Sequence, residues 1–124
     1  MENKDTIQNP HFWKNLQKIV NESEIIIDRP RGTHHPKFPD APVYPLNYGY
    51  LSNTSSMDGE GIDCFVGTLK DKSITGVLCT IDMMKKDSEI KILIGCTPEE
   101  MNIAYEHLNK PDFFKAILVY NITK

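Results

Sequence analysis

Long apolar runs are missing from this chain. The longest are about five residues, as in Ala116-Ile117-Leu118-Val119-Tyr120, far short of the ~20 that a bilayer-spanning helix needs. The opening residues Met1-Glu2-Asn3-Lys4-Asp5 lack the apolar centre of a secretion signal, so a cytoplasmic location without a membrane partner is expected. Cysteine is sparse: Cys64, Cys79 and Cys96 form no C-x-x-C pair, are odd in number and each lie in an apolar stretch. Reduced, buried thiols are expected rather than a disulfide. Basic excess is also absent. The 14 basic and 17 acidic residues sum to a net charge of −3, which disfavours a nucleic-acid partner. There is no repeat, no low-complexity tract, no G-x-S-x-G, no Walker P-loop and no G-x-G-x-x-G. With no nucleophile motif, water is the expected nucleophile of any hydrolysis.

What is present is an ordinary globular composition. The 124 residues, 40% hydrophobic and 25% charged, bound the chain to a single domain over 1–124. Residues 1–8 read as a frayed lead-in. Asn9-Pro10 then pairs an N-cap with a proline at the first helical position. Phe12, Trp13, Leu16, Ile19 and Val20 continue at helical spacing, predicting a helix over 9–21. Its stripe is expected either to cap the sheet or to form a subunit contact in a homo-oligomer. Residues 24–28 read as a short β-branched strand. Prolines at 30, 36, 39, 42 and 45 exclude helix from the next stretch and disfavour a ladder strand. Strands are predicted over 62–68, 74–81, around Ile90, Ile92 and Ile94, and over 116–120. Thr97 and Glu100 form a capping-box pattern for a helix over 98–109. The fold class is therefore mainly β with flanking helices (α+β), as a small barrel or curled sheet.

Four clusters carry chemistry. Asp58, Glu60 and Asp63 place carboxylates on a glycine-containing turn that leads into a strand. Carboxylate oxygens suit hard cations such as Mg²⁺, and an acidic surface turn is the other reading. An EF-hand is excluded, because Asp63 and Leu69 stand at its positions 6 and 12. Arg29, Arg31, His34, His35 and Lys37 form an acid-free basic stretch, either a phosphate grip or a solvated loop. Tyr44, Tyr48 and Tyr50 bring hydroxyls suited to phosphate or to a metal-bound water, or else merely pack. Glu89 and Lys91 share one face of a strand, opposite the isoleucines. They read as a metal ligand beside a phosphate ligand, or as a surface charge pair.

Taken in order, Tyr44-Pro45-Leu46-Asn47-Tyr48-Gly49-Tyr50, then Asn53-Thr54, then Asp58-Gly59-Glu60-Gly61-Ile62-Asp63 resembles the soluble family I inorganic pyrophosphatases. That family carries Y-P-x-N-Y-G-[FY], an N-T or H-T step and D-G-D-P-[LIV]-D at the same spacing. The register holds without a gap from Tyr44 to Asp63. A weaker likeness continues to Glu89-Ile90-Lys91, so that the match covers roughly residues 24–95.

The resemblance implies an OB-like five-stranded β-barrel and hydrolysis of pyrophosphate to two phosphates by metal-activated water, with Mg²⁺ as cofactor in two or more ions. Carried over, Asp58, Glu60, Asp63 and Glu89 are metal ligands. Glu60 helps to activate the water, and Tyr48 supports the metal–water network. Tyr44 lies beside the substrate and Lys91 binds phosphate. Several positions depart from the family. Glu60 stands in place of Asp, one methylene longer, and Gly61 in place of Pro. Glu24 and Ile26 fall near the family's Lys-x-Glu pair. The family's upstream arginine falls near Pro36, leaving Lys37 or Arg31 as substitutes. Its further acid reaches Asp82 or Asp87 only with a gap, and its C-terminal Tyr-Lys pair has no counterpart. The phosphate grip is therefore expected in the 29–37 loop, through Arg29, Arg31 and Lys37. Two rival readings are a hydrolase of a nucleotide or other organic diphosphate, and a non-catalytic phosphate- or metal-binding protein on the same fold.

Overall fold

The computed structural model describes residues 6, 8–56 and 59–123. Local chemistry explains both helices. In α1 (Pro10–Glu22), the Asn9 side chain accepts from the His11 N–H at 2.9 Å, and the Ser23 hydroxyl donates back to the Ile19 carbonyl at 2.6 Å. Trp13 and Val20 are buried on the sheet, whereas Phe12 stays 42% exposed. In α2 (Pro98–Leu108) the expected capping box forms. The Glu100 N–H donates to Thr97 Oγ1 at 3.2 Å, and the Thr97 N–H donates to Glu100 Oε1 at 2.9 Å. Glu100 Oε1 also accepts from the Thr68 N–H at 3.1 Å, which ties the start of α2 to the loop before β4.

Six strands make one sheet: β1 (Ile25–Arg29), β2 (Asn47–Leu51), β3 (Asp63–Val66), β4 (Ile74–Asp82), β5 (Asp87–Ile94) and β6 (Phe114–Tyr120). Their order is β1-β2-β3-β5-β4-β6, with β3 and β5 parallel and the other pairs antiparallel. The mainly β class with two helices holds. The count is six rather than five, because the tyrosine run itself forms β2. Asn47 and Gly49 are poor strand formers, which hid this strand from a propensity reading. Gly49 is there for space: a Cβ would overlap the Ile26 carbonyl oxygen of the neighbouring strand. Among the described residues β1 and β6 do not pair with one another.

Strand alternation sends apolar residues to both faces, and each face carries a core. On one face Trp13 and Val20 of α1 pack with Leu51, Cys64 and Ile92 of the sheet. On the face that takes α2 lie Tyr48, Phe65, Leu78, Leu93 and Met101. Each fully buried aliphatic or aromatic side chain contributes about 1.5–3 kcal/mol. The proline-rich segment forms no strand beyond a single bridge between His35 and Phe38. It closes on itself, with the Tyr44 N–H donating to the Thr33 carbonyl at 2.9 Å and the Gly32 N–H to the Tyr44 carbonyl at 2.8 Å. Burial of Tyr44 and Leu46 anchors it to the α2 face. The three cysteines are free thiols, and burial pushes those of Cys64 and Cys96 up to about 12. No helix among the described residues is long and apolar enough to cross a membrane.

Candidate active site

A cleft of about 730 Å³ opens on the α2 face of the sheet, at the end where β1, β2 and the β4–β5 hairpin meet. The pairing of β2 with β3 sets Tyr48 opposite Phe65 and Tyr50 opposite Asp63. The parallel pairing of β3 with β5 sets Cys64 opposite Ile92. Asp63 is thereby brought beside Lys91, and alternation on β5 points Glu89 to the same face. The result is a tight cluster. Tyr48 donates its hydroxyl proton to Asp63 Oδ2 at 2.8 Å, and Lys91 Nζ donates to the Tyr48 oxygen at 2.8 Å. Lys91 Nζ also lies 3.0 Å from Asp63 Oδ2 and 3.5 Å from Glu89 Oε1. Lys91 is only 5% exposed. Burial by itself would lower its ammonium pKa, but contact with the Tyr48 oxygen and the Asp63 carboxylate outweighs this and raises it. Burial raises the Tyr48 phenol against the opposing pull of Lys91, so Tyr48 stays a neutral donor.

Arg29 reaches the same cleft through a bulge. The register shifts between Ile27 and Arg29, so that Arg29 stands opposite Tyr48. Its Nη1 donates to the Tyr44 hydroxyl at 2.8 Å, and its guanidinium lies 5.7 and 5.8 Å from the Tyr44 and Tyr48 ring centres. The two tyrosine rings lie 5.1 Å apart, and the His107 ring of α2 lies 5.3 Å from Tyr44.

Glu60 enters from the turn before β3. Gly59 takes a left-handed φ of +82°, the Ser56 N–H donates to the Glu60 carbonyl at 2.7 Å, and the Ser56 hydroxyl donates to Glu89 Oε2 at 3.4 Å. Thr54 Oγ1 braces this turn by donating to the Leu51 carbonyl at 2.7 Å and accepting from the Ile62 N–H at 2.9 Å. Glycine at 61 has a steric reason as well, since a Cβ there would sit 2.5 Å from the Leu51 carbonyl oxygen. Asp58 lies outside the described residues.

Of the residues named from the sequence, Arg29, His35, Tyr44, Tyr48, Tyr50, Glu60, Asp63, Asp82, Asp87, Glu89 and Lys91 line this cleft. Arg31 and Lys37 do not line it. Both are exposed, and their backbone N–H groups donate to Asn47 Oδ1 and His35 Nδ1. The loop bends back on itself after Arg29, so of the three basic residues expected to grip phosphate only Arg29 borders the cleft. Lys85 and His107 also line the cleft and were not singled out, although His107 lies three residues past Ala104, on the packed side of α2. The donor chemistry suits Mg²⁺ in kind, because Glu60, Asp63 and Glu89 offer carboxylate oxygens to one cleft. Among the described residues no three His, Cys, Asp or Glu side chains converge into a metal cage.

The molecule is thus an α+β protein whose mainly antiparallel sheet holds a cleft lined by carboxylates, tyrosines, a buried lysine and a half-buried arginine. Comparison with known proteins gives this class a family. The chain is 32% identical over 68 residues to an inorganic pyrophosphatase of Mycoplasma pneumoniae, covering 48% of this chain and 37% of that protein. It is 31% identical over 97 residues to one of Vibrio parahaemolyticus, covering 68% of this chain and 53% of that protein. An inorganic pyrophosphatase structure from Helicobacter pylori shares the fold at a TM-score of 0.54 and 15% identity, covering 79% of this chain and 82% of that one. No family model matches. The chain spans about half the length, or less, of the curated relatives it matches. It is a short, distant member of the inorganic pyrophosphatase family.

Proposed function

We propose that this chain hydrolyses pyrophosphate to two phosphates with Mg²⁺ as cofactor, at the cleft around Lys91. The observation that carries the reading is the Tyr48–Asp63–Lys91 cluster. A buried ammonium stays charged there and borders the same cleft as Glu60, Asp63 and Glu89. Lys91 and Arg29 take the phosphate oxygens, with charge-assisted contacts in a partly dry site. Tyr48 holds Lys91 and Asp63 in register and so acts as a positioning residue. Glu60, Asp63 and Glu89, together with Asp58, would hold Mg²⁺. When bound, Mg²⁺ supplies Lewis acidity, screening phosphate charge and lowering the pKa of water. Glu60 accepts the proton of the attacking water. The water oxygen bonds to one phosphorus, the P–O bond to the bridging oxygen breaks, and that oxygen leaves on the second phosphate. The free thiols suit a cytoplasmic setting.

The test is phosphate release from pyrophosphate with and without Mg²⁺, run beside Asp63→Ala. Mg²⁺-dependent release that falls at least ~10²-fold in the variant is expected. A folded, Mg²⁺-binding sample that releases no phosphate would overturn the proposal and favour a binding role.

A further inference from the structure

Charged groups are not the whole of the cleft lining. Phe38 from the proline-rich loop, Met84 from the β4–β5 hairpin and Phe113 from the α2–β6 connection all border it. They are 59%, 72% and 42% exposed. Leu108 and Phe114 line the cleft as well. A single exposed apolar residue needs no explanation, but three from separate segments bordering one cleft offer apolar surface to whatever occupies it. The His35 ring stands 4.9 Å from that of Phe38 at 50°, adding a second flat face. A small, fully hydrated inorganic anion gains nothing from such a surface. A volume of about 730 Å³ also falls within the ~300–1,000 Å³ typical of sites that enclose organic ligands.

We infer that the cleft accepts a diphosphate monoester carrying an aromatic or apolar group, and that this organic part rests against Phe38, Met84 and Phe113. The inference deepens the phosphoanhydride reading above and rests on it. The diphosphate lies toward Lys91 and Arg29, as pyrophosphate would. Water oxygen bonds to the terminal phosphorus, and the P–O bond to the bridging oxygen breaks. That oxygen departs on the organic monophosphate, and the water gives up its proton. Two sources share this chemistry. A nucleoside diphosphate would stack its base on the phenylalanines, whereas an isoprenoid diphosphate would bury its chain against them.

The experiment measures kcat/KM for pyrophosphate, ADP and geranyl diphosphate in the wild type and in Phe38→Ala/Phe113→Ala. Both side chains are exposed enough for truncation to spare the core, and a thermal melt checks the fold. The expected result is turnover of at least one organic diphosphate, with its kcat/KM relative to pyrophosphate falling about tenfold or more in the variant. Preference for ADP identifies the base-bearing source, and preference for geranyl diphosphate the isoprenoid one. Turnover of pyrophosphate alone overturns the inference and leaves the pyrophosphatase reading standing. No turnover of any of the three overturns both. A variant that changes the sedimentation of the protein but not its substrate ratio also overturns the inference, since the rim would then be a contact between copies.

Discussion

Replacing Lys91 with methionine keeps most of the length and apolar stem of the side chain but removes its ammonium. Tyr48 and Asp63 lose partners at 2.8 and 3.0 Å, and Glu89 loses its neighbour at 3.5 Å. A hydrogen bond to a charged group is worth about 1.5–3 kcal/mol, and removing one member of a buried ion pair costs about 3–5 kcal/mol. The Asp63 and Glu89 side chains keep 28% and 14% of their exposure. Cleft water therefore rehydrates them in part, and a loss of about 2–4 kcal/mol is expected. For 124 residues, with an unfolding entropy of about 2.1 cal/mol/K per residue, this lowers Tm by about 8–15 °C. Calorimetry on the wild type, Lys91→Met and Lys91→Met/Asp63→Asn reads it directly. The double variant, which no longer strands a carboxylate, recovers about 1–2 kcal/mol. A shift within about 2 °C for Lys91→Met, or strictly additive effects in the double variant, would refute a buried, tightly paired Lys91.

Two further outcomes follow from single observations. Gly49→Ala puts a methyl group into the Ile26 carbonyl and should lower stability by about 1–3 kcal/mol or more, read as a lower urea midpoint; an unchanged midpoint would mean that β1 and β2 do not pack in this register. The His107 pKa is lowered below its ordinary 6.5 by burial and then by Lys110. Below pH 6.5 the unfolded chain therefore binds more protons than the folded one, and stability falls as pH drops toward the folded value. Urea midpoints between pH 7.5 and 5 should fall less steeply in His107→Gln, by at most ~1.4 kcal/mol per pH unit, whereas identical slopes would show that His107 is not buried against Tyr44.

Much of this protein is written in short stretches of chain. The capped helices rest on groups a few residues apart, Asn9 with His11 and Thr97 with Glu100, and hydrogen bonds of that reach are visible as sequence patterns. The alternation on β5 depends on nothing but the two-residue period, so the shared face of Glu89 and Lys91 was legible, as was the run from Tyr44 to Asp63 that carries the family resemblance. β2 was not legible as a strand, because Gly49 earns its place through a neighbour more than twenty residues earlier in the chain.

Tertiary structure decided what the charged groups touch. Nothing in the sequence says that β3 pairs with β5 in parallel, skipping β4, yet that crossover alone brings Asp63 to Lys91. Nor does composition separate Arg29, turned inward by a bulge, from Arg31 and Lys37, left outside when the loop closes through Thr33 and Tyr44. Residue identities and local periods determined which chemistry was available. Strand order and register, set by the burial of two apolar layers at once, determined which of those groups meet.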